Sequence, residues 1–152
     1  IGVAGSFNRS LELGEVVNVN GDSIFEIGAE DGQDFIPADQ LGLVNSRDLV
    51  FESKNPYECR VLNNLKTVNS ITVNKVHGNQ ATIELLQKKN NPDLETMEGA
   101  AFFYACEKVQ LPAIQIRAIS NYVEERNRSK WKLDLAIKNL TSKTLEIIQD
   151  LA

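Results

Sequence analysis

From Gly99 to Cys106 the sequence runs Gly-Ala-Ala-Phe-Phe-Tyr-Ala-Cys. It is apolar on nearly every side, and a helix of that composition is expected to be mostly buried. After a Leu111-Pro112 break, Ala113 to Ile119 reads as a strand that turns polar at Ser120-Asn121-Tyr122, where it should end. A helix and strand in this order point to an α/β fold, in which ligands sit at the carboxyl ends of strands. Two polar groups mark the unit, Glu98 in the first turn of the helix and Asn121 at the strand exit.

Each group has two readings on its own. Burying Glu98 without partners would be costly or force it to take up a proton, so hydrogen-bond donors should answer it. The free N–H groups and positive end of the helix are one answer, worth about 0.3 to 1 kcal/mol. A pair of sugar hydroxyls is the other. Asn121 on its own is more often a turn former than a ligand-binding amide. Neither segment is as specific alone as the two together at this spacing.

Glu95-Thr96-Met97-Glu98-Gly99-Ala100-Ala101 followed by Arg117-Ala118-Ile119-Ser120-Asn121 resembles the ribose and base signature of the nucleoside phosphorylase and nucleosidase superfamily. Ile1-Gly2-Val3-Ala4-Gly5-Ser6-Phe7 resembles its glycine-rich strand exit beside the attacking nucleophile. Asn74-Lys75-Val76-His77-Gly78-Asn79-Gln80 resembles the segment that ends a strand next to the base. With Tyr122-Val123-Glu124, Arg126-Asn127-Arg128 and Trp131, the second signature is similar to the futalosine hydrolase branch, which implies release of hypoxanthine from futalosine in menaquinone biosynthesis.

The resemblance implies a three-layer α/β/α sandwich with a central mixed sheet, in one domain spanning residues 1–152. The first residues already read as a strand end, so the expectation is a piece of about the C-terminal two-thirds, inactive alone because the family's water-activating glutamate would precede Ile1. Met97 and Glu98 would hold the ribose. Asn79, Gln80, Ala81 and Asn121 would meet the base, and Val3, Ala4 and Gly5 would form the nucleophile-side loop. Glu98 would accept from the 2′- and 3′-hydroxyls, with bonds that strengthen as positive charge grows on the sugar. Met97 would form an apolar floor.

Adenine-specific nucleosidases carry an aspartate where Asn121 stands. An amide keeps a permanent N–H pair that can donate to a 6-oxo group or N7, favouring a 6-oxopurine, but it is a poorer proton donor. Phosphorylases use a hydroxyl where Val3 aligns, and Val3 cannot bind phosphate, so hydrolysis is favoured; Ser6 would supply the hydroxyl if the alignment slipped. A purine nucleoside phosphorylase and a methylthioadenosine/S-adenosylhomocysteine nucleosidase are the alternatives within the superfamily, and a non-catalytic oligomeric module is the alternative outside it.

A net charge of -5 and a pI near 4.9 argue against a nucleic-acid footprint. No apolar run approaches the ~20 residues of a membrane span, and no signal peptide is visible, so a cytoplasmic setting without membrane partners is expected. Cys59 and Cys106 are too few and too distant for a disulfide scaffold or zinc site, and neither a metal nor a cofactor is called for. The expected partner is a small-molecule nucleoside, within the homo-oligomer that the family resemblance implies. His77, the only histidine, is more often structural than catalytic in such a setting.

The remaining chain reads as alternating elements. Glu15 to Val19 and Ser23 to Ile27 are strand-like around Asn20-Gly21-Asp22, a hairpin signal. Gly28 to Arg47, with the acidic Ala29-Glu30-Asp31-Gly32-Gln33-Asp34-Phe35, reads as a long loop. Ser70 to Val76 suggests a strand. Thr82 is a candidate cap for a helix with Ile83, Leu85 and Leu86 inside, closing before Asn90-Asn91-Pro92. Ser129 would cap a helix to Ala152 whose Leu133, Ala136, Ile137, Leu140, Leu145, Ile148 and Leu151 recur at core-packing spacing. Tyr122, Arg126, Arg128 and Trp131 are candidates for the substrate's 5′ end or for a subunit contact, and an inward arginine would suit a carboxylate.

Overall fold

The structure, a computed structural model, describes residues 1–32, 34–56 and 58–151. The Gln33 of the acidic segment and the expected helix end at Ala152 lie outside the described residues. The strands are β1 (Gly2–Ser6), β2 (Val16–Ile24), β3 (Gly28–Asp31), β4 (Asp34–Pro37), β5 (Val50–Glu52), β6 (Thr67–Thr72), β7 (Leu94–Thr96) and β8 (Gln115–Tyr122). The helices are α1 (Arg60–Asn63), α2 (Gln80–Asn90), α3 (Gly99–Lys108) and α4 (Leu133–Leu151). Short 3₁₀ turns cover Ser46–Leu49 and Arg128–Lys130.

The main sheet is mixed, with order β5-β2-β6-β7-β1-β8, and β2 also pairs with β8. That extra pairing closes β2, β6, β7, β1 and β8 into a ring. All five ring strands contribute to one inner cluster, Ala4, Val17, Val19, Val68, Leu94 and Ile119, joined by Leu11. Period-two alternation sends Ile116 and Ala118 the other way, against Ala136, Leu140 and Ile147 of α4. Ile83 and Leu86 of α2 pack on Phe7, Ile71, Val73 and Val123, and α3 packs Ala100 and Phe103 on Phe51. The helices thus clothe a mixed sheet, the α/β architecture that the sequence implies.

Several local expectations are corrected. Asn20-Gly21-Asp22 is not a hairpin turn but the middle of the nine-residue β2. Neither Asn20 nor Gly21 has the positive φ that a type I′ turn needs. The register instead shifts between Val19 and Gly21, where the strand exchanges β8 for β5 as its neighbour. The expected loop from Gly28 holds a real hairpin, β3 with β4, turning at Gly32 with φ 66°. The Asp31-Gly32 pair was the available signal for it. The strand expected over Ser70 to Val76 lies earlier, at Thr67–Thr72.

Helix ends shift as well. The cap of α2 is Asn79, whose side-chain oxygen accepts from Thr82 N at 3.2 Å; Thr82 lies inside the helix, and Leu85 is exposed. Ser129 belongs to the 3₁₀ turn capped by Asn127, and α4 starts only at Leu133. Its stripe is core at Ala136 and Leu140 but exposed at Leu133, Ile137, Leu145, Ile148 and Leu151, because Ile147 rather than its neighbours continues the inner line. Helix α3 is buried on one side only, through Gly99, Ala100 and Phe103, leaving Phe102 and Tyr104 exposed.

Candidate functional site

A cleft of about 290 Å³ opens at the carboxyl ends of β1 and β8, with Asn121, Tyr122, His77, Glu95, Arg126 and Trp131 among its lining residues. Gly5 is the pivot. It pairs with Asn121 on one side and Glu95 on the other, and a Cβ there would meet Asn121 Nδ2 at 3.2 Å and Glu95 Cγ at 3.4 Å. A side chain at this position would press on Val123 Cγ2 at 3.1 Å and on the Asn121 amide, so the glycine leaves the amide its place beside the methylene of Glu95.

Asn121 is half-buried and directed by its neighbours. Its Oδ1 accepts from Ser120 Oγ at 2.8 Å and its Nδ2 donates to the Tyr122 carbonyl at 3.1 Å. One lone pair and one N–H remain for a ligand. Tyr122 donates to the Leu11 carbonyl at 2.9 Å while Arg9 lies over its ring at 4.3 Å. At the rim Glu124 pairs with Arg9 at 2.6 Å and Lys130 at 3.1 Å, and the hydrogen bond from Arg9 leads in holding its carboxyl below the usual range. Arg126 lies 5.9 Å from the Trp131 ring.

The buried wall of the cleft is an imidazole between two acids. His77 Nδ1 lies 2.8 Å from Glu95 Oε2 and its Nε2 lies 3.2 Å from Glu26 Oε1. The His77 side chain is 2% exposed and that of Glu95 1%. The hydrogen bond to Glu95 leads in raising the His77 pKa above its ordinary value, against the effect of burial, with the charges of Glu95 and Glu26 adding to the rise.

A second polar group lies inside the ring. Asp22 accepts from Thr72 Oγ1 at 2.7 Å and Gln115 Nε2 at 3.1 Å, and Gln115 Oε1 accepts from Arg117 Nε at 2.7 Å. Burial is the main cause that raises Asp22, and burial likewise lowers Arg117. Arg117 Nη1 then reaches Glu98 Oε2 at 3.8 Å. The hydroxyls of Thr96 and Thr72 also accept from Gly99 N and Ala100 N, satisfying the start of α3. Gly99 is required, since a Cβ would collide with Asp22 Oδ2 and Gln115 Oε1.

Glu98 was expected to be buried and is instead exposed, because only one side of α3 faces the sheet. Its side chain makes no capping bond, so its carboxylate is not spent on the helix. Met97 is 49% exposed beside it. Neither lines the Asn121 cleft. Arg117, the partner of Glu98, is paired with Gly2, and Asn121 with Gly5. Three residues of strand correspond to about 10 Å, and period-two alternation turns Gly2 with Ala4 toward the ring and Gly5 away from it, so Glu98 and Asn121 do not share one cleft.

The remaining expected positions are scattered. Val3 packs toward the α4 cluster and Ala4 lies in the ring core, leaving Gly5 as the member of that loop beside the cleft. Asn79, Gln80 and Ala81 are exposed at the start of α2, and the cleft takes Val76, His77 and Gly78 from this segment instead. Ser6 Oγ donates to the Asn8 carbonyl at 2.9 Å, so its hydroxyl is used within the fold. Arg128 lies in the exposed 3₁₀ turn. Sequence reasoning missed Glu95 and Glu26 as partners of His77, and Asp22 and Gln115 as supports of Arg117. Glu95 opens the same signature segment as Glu98, which was a usable signal; nothing local marked the others.

A family model described as the phosphorylase superfamily matches residues 1–149. The chain is 26% identical over 141 residues to the futalosine hydrolase of Streptomyces coelicolor, covering 92% of this chain and 60% of that protein. It is 25% identical over 149 residues to the futalosine hydrolase of Acidothermus cellulolyticus, covering 92% and 57%. The chain therefore spans roughly three-fifths of the relatives it matches. Among solved structures, the native futalosine hydrolase of Helicobacter pylori superposes with a TM-score of 0.75 at 15% identity, over 99% of this chain and 66% of that one. The MTA/SAH nucleosidase of Streptococcus pneumoniae in complex with 8-aminoadenine gives 0.76 at 19% identity, over 99% and 67%. These likenesses confirm the fold. Among the described residues no helix is long and apolar enough to cross a membrane.

Proposed function

Because the chain belongs to the phosphorylase superfamily, we propose that it carries most of the substrate site of a nucleosidase that hydrolyses the N-ribosidic bond of futalosine and releases hypoxanthine, a step of menaquinone biosynthesis. The observation that carries this reading is the position of Asn121, an amide with spare hydrogen-bonding capacity in a cleft at the carboxyl ends of β1 and β8. An amide suits a 6-oxopurine because it can donate to O6 or N7.

In this reading the base lies at Asn121 and Gly5, and Met97 and Glu98, which stand outside that cleft, meet the ribose only in the intact protein. The transition state puts positive charge on the sugar and negative charge on the purine. Glu98, anchored by Arg117 and otherwise free, accepts from the ribose hydroxyls, and these bonds tighten as the sugar becomes cationic. Asn121 donates to the base as it takes up electron density. Val3 offers no hydroxyl for phosphate and Ser6 Oγ is engaged within the fold, which supports water as the nucleophile. The exposed Met97, Phe102 and Tyr104, with Leu145 and Ile148 of α4, support a homo-oligomer.

The test is to incubate the intact protein with futalosine, inosine and methylthioadenosine, with and without phosphate, and to quantify the free base by chromatography. Hypoxanthine from futalosine without phosphate is the expected result. Phosphate-dependent turnover, or adenine from methylthioadenosine as the main product, would refute it.

A further inference from the structure

His77 forms part of the wall between two cavities. The Asn121 cleft lies on one side. On the other a cavity of about 550 Å³ opens between the β3–β4 hairpin and α2, lined by Phe25, Glu26, Lys75 and Leu85 among others. The two ring nitrogens face acids from different sides of this wall: Glu95 lines the Asn121 cleft and Glu26 lines the outer cavity. The imidazole is also fixed from its own backbone, because His77 N donates to Glu95 Oε1 at 3.2 Å.

A histidine that only tied its loop to the sheet would need one acceptor. Here a nearly fully buried carboxylate and a second one that is 20% exposed share a single imidazole. Removing two acids from water is costly unless a positive charge lies between them. The arrangement therefore holds a proton on His77, and it holds it next to Glu95, whose Cγ and the Asn121 amide converge on Gly5. The charged groups around it are Glu95 on β7, Glu26 after β2 and Lys75 at 3.9 Å from Glu26; Arg9, Glu124, Glu125, Arg126 and Lys130 line the Asn121 cleft, and Glu30, Asp34 and Lys89 line the outer cavity.

We propose that Glu95, charged with a proton through His77, is the general acid for the departing purine, and that Glu26 is the positioning residue that keeps His77 protonated. This assignment rests on the nucleosidase reading above. It supplies what Asn121 cannot, since an amide gives up no proton at neutral pH. As the bond from the sugar's C1′ to the purine breaks, its electron pair goes to the base. The Nδ1 proton of His77 passes to Glu95, and from Glu95 to a purine ring nitrogen. Water adds its oxygen to C1′ and loses one proton, which restores the pair through Glu95. One water is consumed and no net proton is taken up.

The test uses two leaving groups in the intact enzyme. A purine needs a proton to depart, whereas 4-nitrophenolate from a 4-nitrophenyl riboside does not. His77→Gln is expected to lower kcat for the purine nucleoside about 100-fold or more, the lower end of general acid catalysis, and to lower nitrophenyl riboside turnover less than ~10-fold. Equal losses on both substrates would overturn the assignment and leave His77 a structural tie. Should His77→Gln fail to fold, Glu26→Gln carries the test. Without the Glu26 charge the imidazolium loses its proton at lower pH, so the fall of purine cleavage with rising pH should begin earlier while the nitrophenyl profile stays in place. An unmoved purine profile would overturn the role of Glu26. Wild-type protein that cleaves neither substrate would defeat the nucleosidase reading itself, and this assignment with it.

Discussion

Arg117 Nη1 stands 3.8 Å from Glu98 Oε2, while its Nε is held at 2.7 Å by Gln115, which in turn donates to the buried Asp22. A carboxylate on the surface thus faces a guanidinium that is held from inside the sheet. Glu98→Gln should lower kcat/KM for the nucleoside about 10- to 100-fold, corresponding to ~1.4 to 3 kcal/mol for charge-assisted bonds lost in the transition state. Because the side chain is 73% exposed, thermal stability should change by less than about 0.5 kcal/mol. Steady-state kinetics with a melting curve of the same sample check both halves.

Asn121→Asp tests the base assignment. A carboxyl group can give a proton to N7 while accepting from a 6-amino group, so the variant should favour adenine over hypoxanthine nucleosides relative to the parent by about tenfold, ~1.4 kcal/mol. The ratio of kcat/KM values for inosine and adenosine analogues measures it. An unchanged ratio would remove Asn121 from base recognition.

Of the residues expected at the candidate site, Asn121 lines the cleft and Gly5 lies beside it, while the others fall elsewhere. Asn121 could be placed at a strand exit because Gln115–Tyr122 is bounded by a proline turn and ends in polar residues, signals that are local. Glu98 was placed on the right element but at the wrong depth. Apolar composition of α3 shows that a helix can be buried; which side faces the sheet depends on β2, β5 and β6, which are distant in sequence. Glu26 and Glu95 meet at His77 from positions 51 and 18 residues away, and no periodicity records such a meeting. The Asn20-Gly21 pair misled for the same reason, since its use as a bulge is dictated by neighbouring strands.

Gly99→Ala should destabilise the fold by ~1 to 3 kcal/mol, the usual cost of overpacking. The added methyl would drive into Asp22 and Gln115. Urea denaturation followed by circular dichroism measures it, and a change below about 0.5 kcal/mol would mean that α3 can withdraw from the ring without cost.

His77 should also write itself into stability. Its pKa is raised in the folded state, chiefly by the Glu95 hydrogen bond. A base stabilised in its protonated form contributes fully below its unfolded pKa of about 6.5 and loses that contribution as pH rises through the folded value. Stability should therefore decline above about pH 6.5, by at most ~1.4 kcal/mol per pH unit for one proton, and His77→Gln should abolish that decline. The imidazole resonance that is lost in His77→Gln identifies His77 in an NMR titration, which should show protonation persisting above the ordinary range.

The most direct test of the central claim is the fate of water. Futalosine should be turned over by the intact protein in ¹⁸O-enriched water without phosphate, with the sugar product read by mass spectrometry. Hydrolysis of the N-ribosidic bond predicts hypoxanthine and a sugar product carrying one heavy oxygen at C1′. Failure to release hypoxanthine, or release only when phosphate is added with no heavy oxygen in the sugar product, would contradict it.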